Sequence, residues 1–303
     1  MQDQAERLRQ LVGRLNPISA LEKPADNPAS CRIIAVTSGK GGVGKTNLSV
    51  NFALAMAARG KSVLLFDADM GLANVDVMLG LIPKFTLANV LTGQKSLSEI
   101  VIEGPGGIHL VASGSGGVQE LADLNETQRE KFMTALLELQ HRSDVILIDT
   151  GAGLHRNVLT FALAAEEVVV VTTPEPTALM DAYGMIKVLA REKKEPQINV
   201  VVNMASNQVE AEEAGRKLVV LSKRFLNLEV NYLGYVPRDM GMVKAVKEQK
   251  PIFLSSPASP AALSLGRLAD QLLSGKTKLD EGNLILFFRK VTQLFGGKTQ
   301  GHD

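Results

Sequence analysis

The chain has no Trp and a single Cys among its 303 residues, and aromatic residues make up 4% of it. One thiol, Cys31, forms no internal disulfide and cannot supply the clustered thiolates of structural zinc or iron–sulfur centres. A disulfide scaffold is excluded, and a reducing compartment is expected. Bulk charge is missing as well: 33 Lys and Arg against 32 Asp and Glu leave a formal net charge of +1, so any basic surface must be local. No uncharged apolar run reaches the ~18 residues of a membrane span. Met1 to Leu15 is charged throughout, without an apolar stretch of signal-peptide length. Neither secretion nor transmembrane insertion is expected.

What is present is an alternation of short β-rich runs with longer helical stretches. The runs Ile33–Thr37, Val63–Asp67, Ile108–Ala112, Val145–Asp149, Val168–Thr172, Ile198–Asn203 and Val230–Tyr235 are mostly continuous apolar segments, as expected of strands covered on both faces. Lys45–Ala58, Glu126–Gln140, Thr177–Arg191, Glu210–Phe225 and Ala258–Leu273 carry helical patterning. No fixed-period repeat is present. The pattern predicts one α/β domain over residues 32–273, a mostly parallel twisted sheet with helices on both faces. Ahead of it lie a predicted helix, 1–16, and a linker, 17–31, broken by Pro17, Pro24 and Pro28. Behind it lie a polar linker, 274–282, and an apolar tail, 283–303.

Gly39-Lys40-Gly41-Gly42-Val43-Gly44-Lys45-Thr46 follows the first strand and opens the first long helix. Two motifs fit it. As G-x-x-x-x-G-K-[ST], its backbone N–H groups wrap phosphates, Lys45 neutralises them and the Thr46 hydroxyl takes Mg²⁺. As G-x-G-x-x-G on Gly39, Gly41 and Gly44, with Asp67 23 residues beyond Gly44, it would bind a dinucleotide. Three features favour the triphosphate. The Lys–Thr pair has a task only with a terminal phosphate and a metal. The second strand ends in two carboxylates, Asp67 and Asp69, which suits metal and water positioning. Val145–Asp149 is an apolar strand ending in an acid, the form that holds Mg²⁺ through water. The phosphate-binding set is then Gly39, Lys40, Gly41, Gly42, Val43, Gly44, Lys45, Thr46 and Asn47, and the metal set is Thr46, Asp67 and Asp149.

Over about residues 32–273 these motifs resemble those of the MinD/ParA (SIMIBI-class) P-loop ATPases. Lys40–Thr46 is similar to the family's deviant Walker A loop, whose additional lysine matches Lys40. Asp67–Asp76 is similar to its switch I, and Asp149–Gly153 to its switch II. The resemblance implies a homodimer formed with ATP, in which Lys40 reaches across to the partner's phosphates and offsets the charge of two nucleotides. It also implies slow hydrolysis in which Asp69 orients the attacking water, making Lys40, Lys45 and Asp69 the expected catalytic residues. Asn203 and the loop Pro237-Arg238-Asp239 match the adenine contacts. Guanine recognition is not expected, because the one [NT]KxD match, Thr277–Asp280, falls in the polar linker beyond the core. ATP and Mg²⁺ are the expected cofactors.

Asn283 to Gly296 sets Leu284, Phe287, Phe288, Val291, Leu294 and Phe295 on one helix face, with Arg289, Lys290 and Gln293 on or beside the other. At about 20 Å the segment is too short to span hydrocarbon and fits an interfacial helix on anionic lipid. A terminal helix docked on the core is the alternative. Inserting about six apolar side chains at roughly 1–2 kcal/mol each is offset by ordering some 12 residues at ~1 kcal/mol each. One tail therefore binds marginally, and the two tails of a dimer bind well.

At the other end Leu8, Leu11, Val12 and Leu15 share a helix face. Asp3-Gln4-Ala5-Glu6-Arg7-Leu8-Arg9 resembles the DQAxxLR activator helix of the flagellar-number branch of the family (FlhG, also YlxH or FleN). That resemblance implies that Asp3, Gln4, Ala5, Leu8 and Arg9 dock on an FlhF-type GTPase and stimulate it, with Gln4 near its active site. Flagellar basal-body (C-ring) proteins are further expected partners. The expected location is cytoplasmic, reversibly at the inner face of the membrane. Two alternatives share the core: a MinD-like division-site regulator and a ParA-like DNA-partition ATPase. Against the second, Arg216-Lys217 and Lys223-Arg224 share their helix with Glu210, Glu212 and Glu213, so nucleic-acid binding is not expected.

Overall fold

The computed structural model describes residues 31–69, 75–112, 114, 142–193, 196–275 and 283–296. Its strands are β1 (Arg32–Ser38), β2 (Val63–Ala68), β3 (Ile102–Glu103), β4 (His109–Ala112), β5 (Val145–Ala152), β6 (Glu167–Thr172), β7 (Gln197–Ala205) and β8 (Asn231–Pro237). Its helices are α1 (Lys45–Ala57), α2 (Val75–Leu79), α3 (Leu87–Leu91), α4 (Leu97–Ile100), α5 (Arg156–Ala164), α6 (Pro176–Glu192), α7 (Gln208–Leu226), α8 (Met240–Lys247), α9 (Ile252–Ser255), α10 (Pro260–Ser274) and α11 (Asn283–Gly296). The helices expected over residues 1–16 and Glu126–Gln140 lie outside the described residues, as do Asp3, Gln4, Ala5, Leu8 and Arg9.

One sheet runs in the order β3-β4-β2-β5-β1-β6-β7-β8. Its pairs are parallel except the β3–β4 edge. All seven expected strands are present, with ends shifted by up to three residues. The two-residue β3 and the short helices α2 to α4, α8 and α9 were not expected, because four to eight residues carry too little periodicity to show. β1 is buried along its whole length. Its pleat sends Ile34 and Val36 into the core under α1 and α10, and Ile33 and Ala35 into the opposite core with α5 and α11. Arg32 closes the far end of the sheet. Its guanidinium donates to Glu167 at 2.5 and 3.0 Å and to the Leu272 and Leu273 carbonyls at 2.9 and 3.0 Å, so the buried charge is paired and hydrogen-bonded.

β1 lies between β5 and β6, where the direction of winding reverses. In doubly wound sheets that reversal opens a crevice at the carboxyl ends of the strands, which is where ligands bind. Ser38, Ala68 and Ala152 all end at that edge.

The tail departs from the lipid-facing arrangement expected of it. Phe287, Phe288 and Val291 are buried in the core, whereas Leu286 and Leu294 are exposed. The side chains of Leu284 and Phe295 lie outside the described residues. Phe288 meets Phe66 of β2 edge to face at 5.9 Å, and Phe287 lies 6.1 Å from Phe161 of α5. The physical reason is that the β2–α5 face carries two large rings that α11 covers; aromatic burial outweighs the polar linker ahead of it. No helix among the described residues is long and apolar enough to cross a membrane.

Candidate functional site

The loop leaving β1 turns against α6 and re-enters α1. A Cβ at Gly39 would sit 2.2 Å from the Asp181 carbonyl oxygen, so the loop packs backbone to backbone on α6 and only glycine fits. Gly44, with φ of 85°, is the left-handed residue that caps α1, and no side chain caps the first N–H groups. Val43 is buried, Gly41 and Gly42 face solvent, and Thr46 and Asn47 lie half-buried on the first turn of α1. Asn203 at the end of β7 donates its amide to the Val43 carbonyl at 2.8 Å. The residue expected at adenine thus also braces the phosphate loop from below. Beside it Pro237 is half-buried and Arg238 exposed, with the Arg238 N–H donating to the Ala205 carbonyl at 2.9 Å.

Lys45 points into the sheet. Its Nζ lies 3.1 Å from Asp149 Oδ1, with side-chain exposures of 6% and 0% for the pair. It also lies 3.4 Å from Thr46 Oγ1. A lysine in the first turn of a helix faces the positive end of the dipole, so this position suits a group awaiting an anion. Ser49, one turn along α1, donates to the same Asp149 Oδ1 at 2.7 Å. The other oxygen, Oδ2, is buried without a hydrogen-bond partner among the described residues. A buried bare carboxylate oxygen is costly unless something arrives to use it, which is the property a water-bridged Mg²⁺ needs. Ser49 was not singled out in the sequence; its place four residues after Lys45, on the same helix face, is the signal that would have found it.

Asp67 stands directly beside Asp149 across the β2–β5 pair. Its Oδ1 accepts from the Asp69 N–H at 3.0 Å and its Oδ2 from the Val75 N–H at 3.4 Å, so it ties both ends of switch I. Residues 70–74 between those ends lie outside the described residues. Asp69 is half-buried over switch II, where a Cβ at Gly151 would lie 3.4 Å from its Oδ1. The end of the segment matched to switch II is bonded to the strand leading into the glycine loop, the Gly153 N–H donating to the Ser38 carbonyl at 2.8 Å. Lys40 lies along the surface of its own protomer, with Nζ 3.3 Å from Glu175 Oε2 and 3.1 Å from Thr177 Oγ1.

Three residues past Gly153, Arg156 donates from Nη2 and Nε to the Leu294 carbonyl of α11 at 2.5 and 3.2 Å. The far end of the docked tail is therefore held by the first residue of α5, just past switch II. Nearby, Lys193 donates to the carbonyls of Ala165 and Glu166. Burial, and then the charge of Lys290 on α11, pull its pKa down to about 8 against the opposing pull of Glu166 and Glu167.

A sequence model of the ParA family, described as an NUBPL iron-transfer P-loop NTPase, matches residues 30–273. The antiactivator FleN of Pseudomonas aeruginosa is 40% identical over 263 residues, covering 86% of this chain and 94% of that protein. The flagellum site-determining protein YlxH of Helicobacter pylori is 32% identical over 306 residues, covering 98% of this chain and all of that one (100%). The solved septum site-determining protein MinD of Pyrococcus horikoshii, complexed with Mg-ADP, superposes with a TM-score of 0.65 at 25% identity, covering 80% of this chain and 96% of that one. The chain belongs to the MinD/ParA family of P-loop ATPases, as a homologue of the flagellar regulators FleN and YlxH.

Proposed function

We propose that the chain is an ATP-driven switch that sets flagellar number and placement, cycling between a form with its tail docked and a membrane-bound ATP dimer. The observation that carries this reading is the hydrogen bonding of Arg156, at the start of α5 just past switch II, to the Leu294 carbonyl in the last turn of α11. In the nucleotide cycle, the phosphate loop and Lys45 bind the phosphates. Thr46 would hold Mg²⁺, with Asp149 and Asp67 as the carboxylates of the site. Bound Mg²⁺ neutralises charge on the terminal phosphates. Asp69 orients the attacking water, and Lys40 leaves Glu175 to reach the partner protomer's phosphates. Asn203, Pro237 and Arg238 contact the adenine.

Switch II movement on triphosphate binding would pull Arg156 from Leu294 and free Phe287, Phe288, Val291 and Leu294, with Leu284 and Phe295, for lipid. A buried aromatic tail that must first leave its groove keeps the diphosphate form off the membrane. The flagellar assignment rests on the FleN and YlxH homology and on the Asp3–Arg9 motif. Through that motif the chain stimulates an FlhF-type GTPase, and basal-body proteins are its further partners.

Vesicle sedimentation tests the cycle. ATP should recruit the full chain to anionic vesicles and ADP should not, while deleting residues 283–303 should abolish recruitment and leave nucleotide affinity intact. Recruitment that persists without the tail refutes the membrane reading. A peptide of residues 1–23 that leaves the GTPase of an FlhF-type partner unchanged refutes the activator reading.

A further inference from the structure

We infer that Ser49 is a positioning residue for the ATPase site: it keeps Asp149 aimed at the metal's water shell once the nucleotide has drawn Lys45 away. The inference rests on the ATP–Mg²⁺ reading above. A carboxylate only accepts hydrogen bonds, and Ser49 has one hydroxyl proton to give. Its two neighbouring acceptors are Asp149 Oδ1 at 2.7 Å and the Lys45 carbonyl at 3.2 Å. The shorter, charged acceptor takes the proton.

Oδ1 therefore holds two donors, Ser49 Oγ and Lys45 Nζ, while Oδ2 holds none among the described residues. This asymmetry fixes which oxygen faces the site. Rotation about the terminal torsion of an aspartate is soft and close to twofold, so an untethered Asp149 would exchange its oxygens freely.

The two donors differ in what a nucleotide does to them. Lys45 is a long, flexible cation on the phosphate loop, and a terminal phosphate competes directly for it. Ser49 sits on the buried body of α1, its side chain too short to follow the phosphate. When Lys45 turns to the phosphates, Asp149 loses its cation at a fully buried position of β5. The Ser49 hydroxyl is then the tether that remains. With that tether in place, Asp149 would be a preorganised acceptor beside the Mg²⁺ that Thr46 would hold; without it, Asp149 would not.

The test separates metal-dependent from metal-independent nucleotide binding. Affinity for N-methylanthraniloyl-ADP is measured in Mg²⁺ and in EDTA for the wild type, Ser49→Ala and Ser49→Cys, with the cysteine keeping the volume but donating weakly. In EDTA all three should bind alike. In Mg²⁺ both variants should lose about tenfold, the weight of one charge-assisted hydrogen bond. Equal Mg²⁺ enhancement in Ser49→Ala and wild type overturns the inference. So does an equal loss in both conditions, which would mark Ser49 as a support of the phosphate loop alone. If the wild type itself gains nothing from Mg²⁺, the ATP–Mg²⁺ reading fails first, and the role of Ser49 falls with it.

Discussion

Replacing Arg156 by Gln removes the cation at the end of α11 while leaving every apolar residue of the tail in place. That separates docking from lipid insertion, which substitution of Phe287 or Phe288 would not. Arg156 contributes two hydrogen bonds to the Leu294 carbonyl, at 2.5 and 3.2 Å, in an exposed setting. Solvent screening and the favourable placing of a cation at a helix C-terminus together put their loss at about 1–2 kcal/mol. Burial of Phe287, Phe288 and Val291 contributes more, roughly 1.5–3 kcal/mol per side chain. The tail should therefore stay docked in Arg156→Gln but open about 5- to 30-fold more often. Hydrogen exchange of residues 283–296 with ADP bound should accelerate by that factor, and binding to anionic vesicles in ADP should rise in step. Arg156→Lys, which keeps the charge but not the two-pronged geometry, should fall between. Wild-type exchange in Arg156→Gln would refute the latch. Complete loss of protection would refute the claim that the phenylalanines carry most of the docking.

Two further outcomes follow from buried charges. Lys45→Ala takes the cation away from the buried Asp149, so the nucleotide-free protein should lose about 3 kcal/mol in urea unfolding, and Lys45→Ala with Asp149→Ala should recover part of it. Lys193 titrates at about 8 in the folded chain against an ordinary 10.5, so between those values the unfolded state binds more protons and stability rises with pH. The urea midpoint should climb from about pH 8 to about pH 10.5, and Lys193→Met should flatten that slope. Cys31, buried and with its pKa raised to about 12 by burial and then by Glu166 and Asp144, should resist thiol reagents until the chain unfolds.

The strands and the phosphate loop were legible because their physics is local. Val145–Asp149 is apolar because both its faces are covered, and Gly39 and Gly44 are glycines because one backbone approach and one positive φ require them. What the sequence concealed is relational. That Phe287 and Phe288 pack on Phe66 and Phe161 depends on rings more than 120 positions earlier in the chain. An amphipathic pattern reads the same for either apolar medium. Lys40 resting on Glu175, Asp67 tying both ends of switch I, and Ser49 facing Asp149 are likewise contacts between distant segments. The Lys45 to Ser49 spacing hinted at the last of these, since it marks one face of α1.

The most direct measurement of the central claim, that nucleotide state governs the tail, is hydrogen exchange across residues 283–296 in Asp69→Ala, a variant expected to bind ATP without hydrolysing it. With Mg-ADP the segment should be as protected as its burial against β2 and α5 demands, and with Mg-ATP that protection should collapse as the dimer forms. Equal protection in the two nucleotides, in a protein shown by size exclusion to have dimerised with ATP, would contradict the account.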